Sequence, residues 1–345
     1  MAHRWWKDVL DSAQSWQGLE LTIGVSGRSD KTMEMVSGHR GRMSLWIGGE
    51  PLFWATVLED HSGVWLVINE DHRVQSTLLP HVASAAVEAA KRVDPAQRMA
   101  WWSRYFAERL ADVESPMLSA GRWLLLPMYY CPPSAPYKSY TPQTVDKWSF
   151  RSPALASSHG FNWTLYGEDF PDLLNLERVS FVDWWWNGYL LRGRYAVRPD
   201  DGRLKWWRKK CREGSLPPVL VWYIAGIASY VILDGHCRLQ AALEEGVPPD
   251  FLVITELAEK EVRPDPERQA RIVKSVEQRL CDRPGENVDS INQVLIGLYD
   301  DRYCYETTRS RAILGSGESW EREVREYLAR HGLDDFLERI LNRVE

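Results

Sequence analysis

The chain has 345 residues, 44% of them hydrophobic and 26% charged, which excludes wholesale disorder and leaves room for more than one core, because single domains mostly hold on the order of 100 to 200 residues. A net charge of -6 argues against a protein that grips nucleic acid with its whole surface, since phosphate binding rests on Lys and Arg. Cys131, Cys211, Cys237, Cys281 and Cys304 form no CxxC pair and read as reduced thiols rather than a disulfide framework or zinc knuckle.

Met1-Ala2-His3-Arg4-Trp5-Trp6-Lys7 lacks the apolar core of a signal peptide, and no run approaches the roughly 20 apolar residues that span a bilayer, so the expectation is a cytoplasmic protein without a membrane partner. From Met43 to Asn69, short apolar runs broken by Gly48-Gly49 and Asp60-His61-Ser62-Gly63 predict a β-meander. Pro80 to Val93 and Pro95 to Val113 carry apolar residues at helical spacing behind a proline suited to a first turn, predicting two helices. Between Met117 and Ser158, Pro127, Pro132, Pro133, Pro136, Pro142 and Pro153 disfavour long regular elements and predict a linker or spanning loop. Phe161 to Tyr195 returns to aromatic, strand-like text. Glu256 to Glu345 predicts a helical tail, with helices over Arg268–Leu280, Ser290–Tyr299 and Trp320–Val344, more acidic than basic and without a convincing DNA-recognition helix. The 18 tryptophans read as core and groove-lining side chains and carry no assigned function.

The chemistry concentrates in one place. Pro217-Pro218-Val219-Leu220-Val221-Trp222 and Tyr230-Val231-Ile232-Leu233 predict two strands, and the second runs through Asp234-Gly235 into a helix that stops at Gly246. A helix N-terminus offers free N–H groups and partial positive charge, and Gly235 lets an anion approach the backbone, so phosphate is the natural ligand. Arg238 can add a guanidinium clamp, and Asp234 can hold a magnesium ion or cap the helix. His236 can donate to phosphate or move a proton near neutral pH, and Cys237, at a helix start beside an arginine, gains thiolate character. The plain alternatives are an Asp-Gly cap, a satisfied turn histidine and an inert buried thiol. Arg203 to Gly214 predicts a short basic helix that faces phosphates or nucleic acid, or else solvent; Arg192, Arg194 and Arg198 are further candidates for the same positive pocket.

Pro-Pro-Val-Leu-Val, then Tyr-Val-Ile-Leu-Asp-Gly-His-x-Arg-Leu-x-Ala-Ala and Gly246, resembles the ParB/sulfiredoxin superfamily, in particular its members with an Asp-Gly-His-His-Arg signature, among them CTP-binding ParB and ADP-dependent free serine kinases. The resemblance places Gly235 and Arg238 on the phosphate-binding positions and Asp234 and His236 on the acidic and first histidine positions. Cys237 replaces the second histidine. Sulfiredoxin's Gly-Cys-His-Arg has cysteine and histidine in the opposite order, which speaks against a sulfinic acid reductase.

The expected architecture is α+β: an N-terminal α+β domain (1–115), a Pro-rich linker or spanning loop (116–160), a ParB/sulfiredoxin-like domain (161–255) and a helical C-terminal domain (256–345). The resemblance implies a nucleotide-dependent phosphotransferase or hydrolase that uses ATP, ADP or CTP with Mg²⁺ on a small-molecule acceptor. Asp234, His236 and Cys237 would be catalytic, Gly235, His236 and Arg238 would bind the nucleotide, and Asp234 would hold the metal. Asp183, Glu177 and Asp200 are candidates for the general base. The alternative is a non-catalytic, nucleotide-responsive protein that recognises DNA or a protein partner, and either reading accommodates a homodimer.

Overall fold

The computed structural model describes residues 4–11, 13–24, 32–47, 49–71, 78–111, 117–132, 144–153, 162–185, 190–261, 265–282, 302–313 and 315–345. It is a mixed α+β protein built on two sheets. The larger runs β1 (Arg4–Leu10), β2 (Trp16–Ile23), β7 (Gly121–Tyr130), β14 (Phe251–Glu261), β12 (Val219–Ile224), β13 (Ser229–Asp234) and β11 (Leu190–Arg192), with β15 (Arg302–Thr307) beside β14 and the short β8 (Ser149–Arg151) and β9 (Thr164–Tyr166) continuing from β7. The smaller runs β10 (Val179–Asp183), β6 (Gly63–Ile68), β5 (Glu50–Val57), β4 (Arg42–Ile47), β3 (Glu34–Ser37) and β16 (Ser310–Ala312).

The meander expected over Met43–Asn69 is β4, β5 and β6, paired antiparallel. Both faces of these strands are covered, and the period-2 rule sorts their side chains. Phe53, Ala55, Val64, Leu66 and Ile68 join the main core shared with the larger sheet, whereas Trp54, Trp65 and Val67 face a second core made with α6 (Glu318–Arg330) and α7 (Leu337–Asn342). The first two expected helices are α1 (Ser84–Lys91) and α2 (Arg98–Leu110). Trp102, Phe106 and Leu110 of α2 enter the main core together with Leu204 and Trp207 of α3 (Gly202–Arg212) and Leu239 and Ala241 of α4 (His236–Glu245).

Two expectations are corrected. The stretch expected to be a linker contains the ten-residue strand β7, flanked by β2 and β14, so hydrogen bonding continues across it. Its buried run Trp123-Leu124-Leu125-Leu126 outweighs the prolines nearby; Pro127 lies beyond Leu125, where pairing with β2 ends, and costs that ladder nothing. Pro133, Pro136 and Pro142 lie outside the described residues. The tail beyond Glu256 is not helical throughout. Its first residues complete β14, β15 pairs with them, and β16 pairs with β3, which ties the tail into both sheets. The β15 sequence Tyr303-Cys304-Tyr305-Glu306-Thr307 alternates aromatic or β-branched residues with others, a strand pattern. Helix α5 (Pro266–Asp282) matches Arg268–Leu280, with Asp265 accepting a hydrogen bond from the Glu267 N–H and proline at the first position. Trp320–Val344 contains α6 and α7, and Ser290–Tyr299 lies outside the described residues.

Among the described residues no helix is long and apolar enough to cross a membrane. Several tryptophans supply packing, since Trp148 and Trp163 are fully buried and Trp148 stands edge-on to Phe150 and Phe170, whereas Trp5 and Trp185 are exposed.

Candidate functional site

β13 ends at Asp234, Gly235 takes φ +116°, and α4 follows at once and stops at Gly246, φ +64°. The strand, turn and helix therefore stand where the sequence places them. Gly235 is needed twice over: its φ is one that L side chains rarely adopt, and a Cβ there would come within 2.9 Å of the Arg238 guanidinium. No side chain caps α4; the Asp234 carboxylate accepts from Arg238 instead, which corrects the expectation of an Asp234 cap.

Arg238 is buried, not poised in solvent. Its Nη2 donates to Asp234 Oδ2 at 3.0 Å, to the Asp234 carbonyl at 3.2 Å and to the Pro218 carbonyl at 3.0 Å. The rings of Phe106 and Trp207 lie 5.8 and 5.5 Å from its guanidinium carbon. Such a guanidinium ties the entry to β12, β13, α2, α3 and α4 together through Nη2, while its buried Nε has no hydrogen-bond partner among the described residues.

His236 is buried as well. Its Nε2 accepts the backbone N–H of Arg194 at 2.9 Å, and its ring stacks on Tyr195 at 3.9 Å. Accepting at Nε2 makes it the neutral tautomer with its proton on Nδ1. Burial, helped by Arg194 and Arg238, holds its pKa well below the ordinary 6.5, so it does not shuttle protons near neutral pH as the sequence suggested. Because the unfolded chain carries an ordinary histidine, protonation below pH ~6.5 favours unfolding. The stability tied to His236 is complete above that pH and is lost as pH falls toward the depressed folded value. We expect His236→Gln, which keeps an acceptor but cannot titrate, to remove up to about 1.4 kcal/mol per pH unit of acid sensitivity below pH ~6.5. Urea unfolding of both proteins at neutral and mildly acidic pH measures it, and parallel slopes would count against a buried neutral imidazole.

Cys237 departs from expectation too. Burial first, and Asp201 second, push its thiol up to about 11, so it is protonated at neutral pH and is no thiolate nucleophile. Its Sγ lies 4.0 Å from Asp201 Oδ2. Asp201 is the N-cap of α3, its Oδ1 accepting the Arg203 N–H at 2.8 Å. The N-termini of α3 and α4 thus adjoin. His81, exposed on the segment before α1, lies in electrostatic reach of Arg203, Asp234 and Asp201; desolvation first, and Arg203 next, hold it below the ordinary histidine value. Tyr105, buried on α2, is raised chiefly by burial and also feels Arg109, Asp234 and Arg238.

Of the other candidates, Arg194 lies against His236 and the rest do not gather here. Arg194 is buried and donates to the carbonyls of Ile232 and Leu233, Arg198 pairs with Asp200 on the surface, and Arg192 lines a separate cavity. Asp183 accepts the Trp185 N–H at the end of β10, and Glu177 sits at the Arg192 cavity. The basic face of α3 is answered by acids: Arg208 and Arg212 pair with Glu245, and Lys210 with Glu88 and Glu213. Only the first turn of α3, with Arg203, adjoins the α4 start. Magnesium fits poorly as a protein-held ion, because the Arg238 cation already meets Asp234 and, among the described residues, no three His, Cys, Asp or Glu side chains assemble a metal site.

No family model, curated protein or solved structure matches the chain. Sequence reasoning missed His81, Tyr105 and Asp201. Asp201-Gly202 ahead of a basic helix is a readable N-cap signal, but nothing local in Pro80-His81 announces that it comes near residues about 120 to 150 positions downstream.

Proposed function

We propose that the N-terminus of α4 binds the phosphates of a nucleotide, ATP, ADP or CTP, and that the chain is a nucleotide-dependent phosphotransferase or hydrolase acting on a small molecule. One observation carries the reading: an uncapped α4 start at Gly235 adjoins the start of α3, with Arg203 on α3 and His81 in electrostatic reach of both starts. The uncapped N-terminus of α4 favours an anion, and Arg203, beside the Asp201 cap of α3, adds a formal cation. The resemblance of Pro217 to Ile254 to the ParB/sulfiredoxin superfamily supports the same ligand.

The roles shift from the sequence reading. Gly235 makes the positive-φ turn that starts α4, Arg238 and His236 hold that turn in shape from beneath, and His81, neutral at pH 7, is the group able to accept a proton from an attacking hydroxyl. Calorimetric titration of the intact chain with ATP, ADP and CTP tests the binding step. One of the three is expected to bind, with affinity falling as salt is raised and weakened about tenfold or more in Arg203→Ala. If none binds, the reading fails. The second reading, a non-catalytic nucleotide-responsive protein that recognises DNA or a protein partner, draws support from the protonated Cys237 and the internal His236, which leave the motif itself without a reactive side chain. Binding of a nucleotide without release of phosphate or diphosphate in the presence of candidate acceptors would favour it.

A further inference from the structure

A cavity of about 500 Å³ opens where the edge strands of the two sheets, β10 and β11, meet the turn before α7, and it takes no part in the α4 site. Trp65, Phe181 and Phe336 form its aromatic wall, with Trp65 centred 5.1 Å from Phe181 and 6.0 Å from Phe336. Leu190 and Leu333 extend the apolar surface.

The polar lining has donors without acceptors. Arg192 Nε, Arg178 Nε and Ser180 Oγ are all buried with no hydrogen-bond partner, and Ser180 as a whole is only 7% exposed. Arg178 spends its Nη2 on Glu70 at 2.6 Å, whereas Arg192 only senses Glu177 and Asp169 through space. Burial lowers Arg192 to about 10, which leaves it cationic at neutral pH. Unanswered buried donors are costly, and here three of them come from residues lining one cavity. A cavity of a few hundred Å³ with an apolar wall and a few polar groups has the proportions of a small-ligand site.

We propose that this cavity binds a small organic carboxylate with an aromatic body, its carboxylate taking the donors of Arg192, Arg178 and Ser180 and its ring resting on Trp65, Phe181 and Phe336. Glu177 and Asp169 near Arg192 disfavour a dianion, which selects a singly charged carboxylate over phosphate. Charge-assisted donation from a guanidinium supplies the affinity and ring contact the selectivity.

Phenylacetate is the probe, titrated into the full chain while tryptophan fluorescence and melting temperature are followed. Saturable binding that raises the melting temperature is expected, and phenylacetamide, the neutral isostere, should produce neither signal. Arg192→Met removes an unpaired buried cation, so it should fold at least as stably as the parent while losing about tenfold or more in affinity. Ser180→Ala deletes only a hydroxyl and provides a second, conservative variant with a smaller loss. Absence of saturation with phenylacetate, equal binding of phenylacetamide, preference for inorganic phosphate, or undiminished affinity in both variants would each overturn the proposal.

Discussion

Arg238→Ala is expected to lose about 3 kcal/mol of folding stability, because it removes one partner of a largely buried ion pair and leaves the Asp234 carboxylate and the Pro218 carbonyl without their donor. The estimate sits at the low end for such deletions, since Asp234 keeps some access to water. Lysine should not rescue it. An ammonium lacks the planar guanidinium whose carbon lies over the Phe106 and Trp207 rings, so that contact is lost even where a charge is kept beside Asp234. Replacing both charges, with Asp234→Asn and Arg238→Met together, should recover part of the loss, because no uncompensated charge remains. Urea denaturation of the three variants measures the order. An arginine whose only task was to clamp phosphate would give the opposite pattern, with stability unchanged and ligand binding abolished.

The same residue shows what the sequence can and cannot reveal. Asp-Gly-His-Cys-Arg lies in the strand, turn and helix expected of it because each step has a local cause: β-branched and aromatic residues before Asp234, a positive φ at Gly235, helix formers after His236 and Gly246 to end them. Whether Arg238 turns outward to a ligand or inward to Pro218 depends on residues from α2, α3 and β12, which no local pattern encodes. Burial then reverses the chemistry inferred for its neighbours, lowering His236 and raising Cys237. β7 escaped notice for a related reason. Proline density is a local signal, while the position of Leu124, Leu125 and Leu126 between β2 and β14 is a long-range one. His81 is the extreme case, since its place in reach of Asp201 and Asp234 depends on long-range contacts, Glu88 of α1 with Lys210 of α3 and Phe106 of α2 with Arg238 of α4.

His81→Gln is expected to leave nucleotide binding nearly intact while lowering phosphoryl transfer or hydrolysis about 100-fold, the lower range for removing a positioned general base. Binding persists because the α4 amides and Arg203 are untouched; turnover falls because, among the described residues, the other imidazole at the turn, His236, is internal and hydrogen-bonded to the Arg194 N–H. The pH profile gives a second readout. A base works in its unprotonated form, and desolvation with Arg203 nearby holds His81 below 6.5, so the acid limb should fall below pH ~6.5, with a plateau at neutral pH. In His81→Gln that limb should disappear along with most of the rate. Cys237→Ser is the internal control: a thiol pushed up to about 11 contributes no nucleophile at neutral pH, so the rate should change by less than about tenfold. A large loss in Cys237→Ser with normal turnover in His81→Gln would return the chemistry to the motif itself and remove His81 from the mechanism.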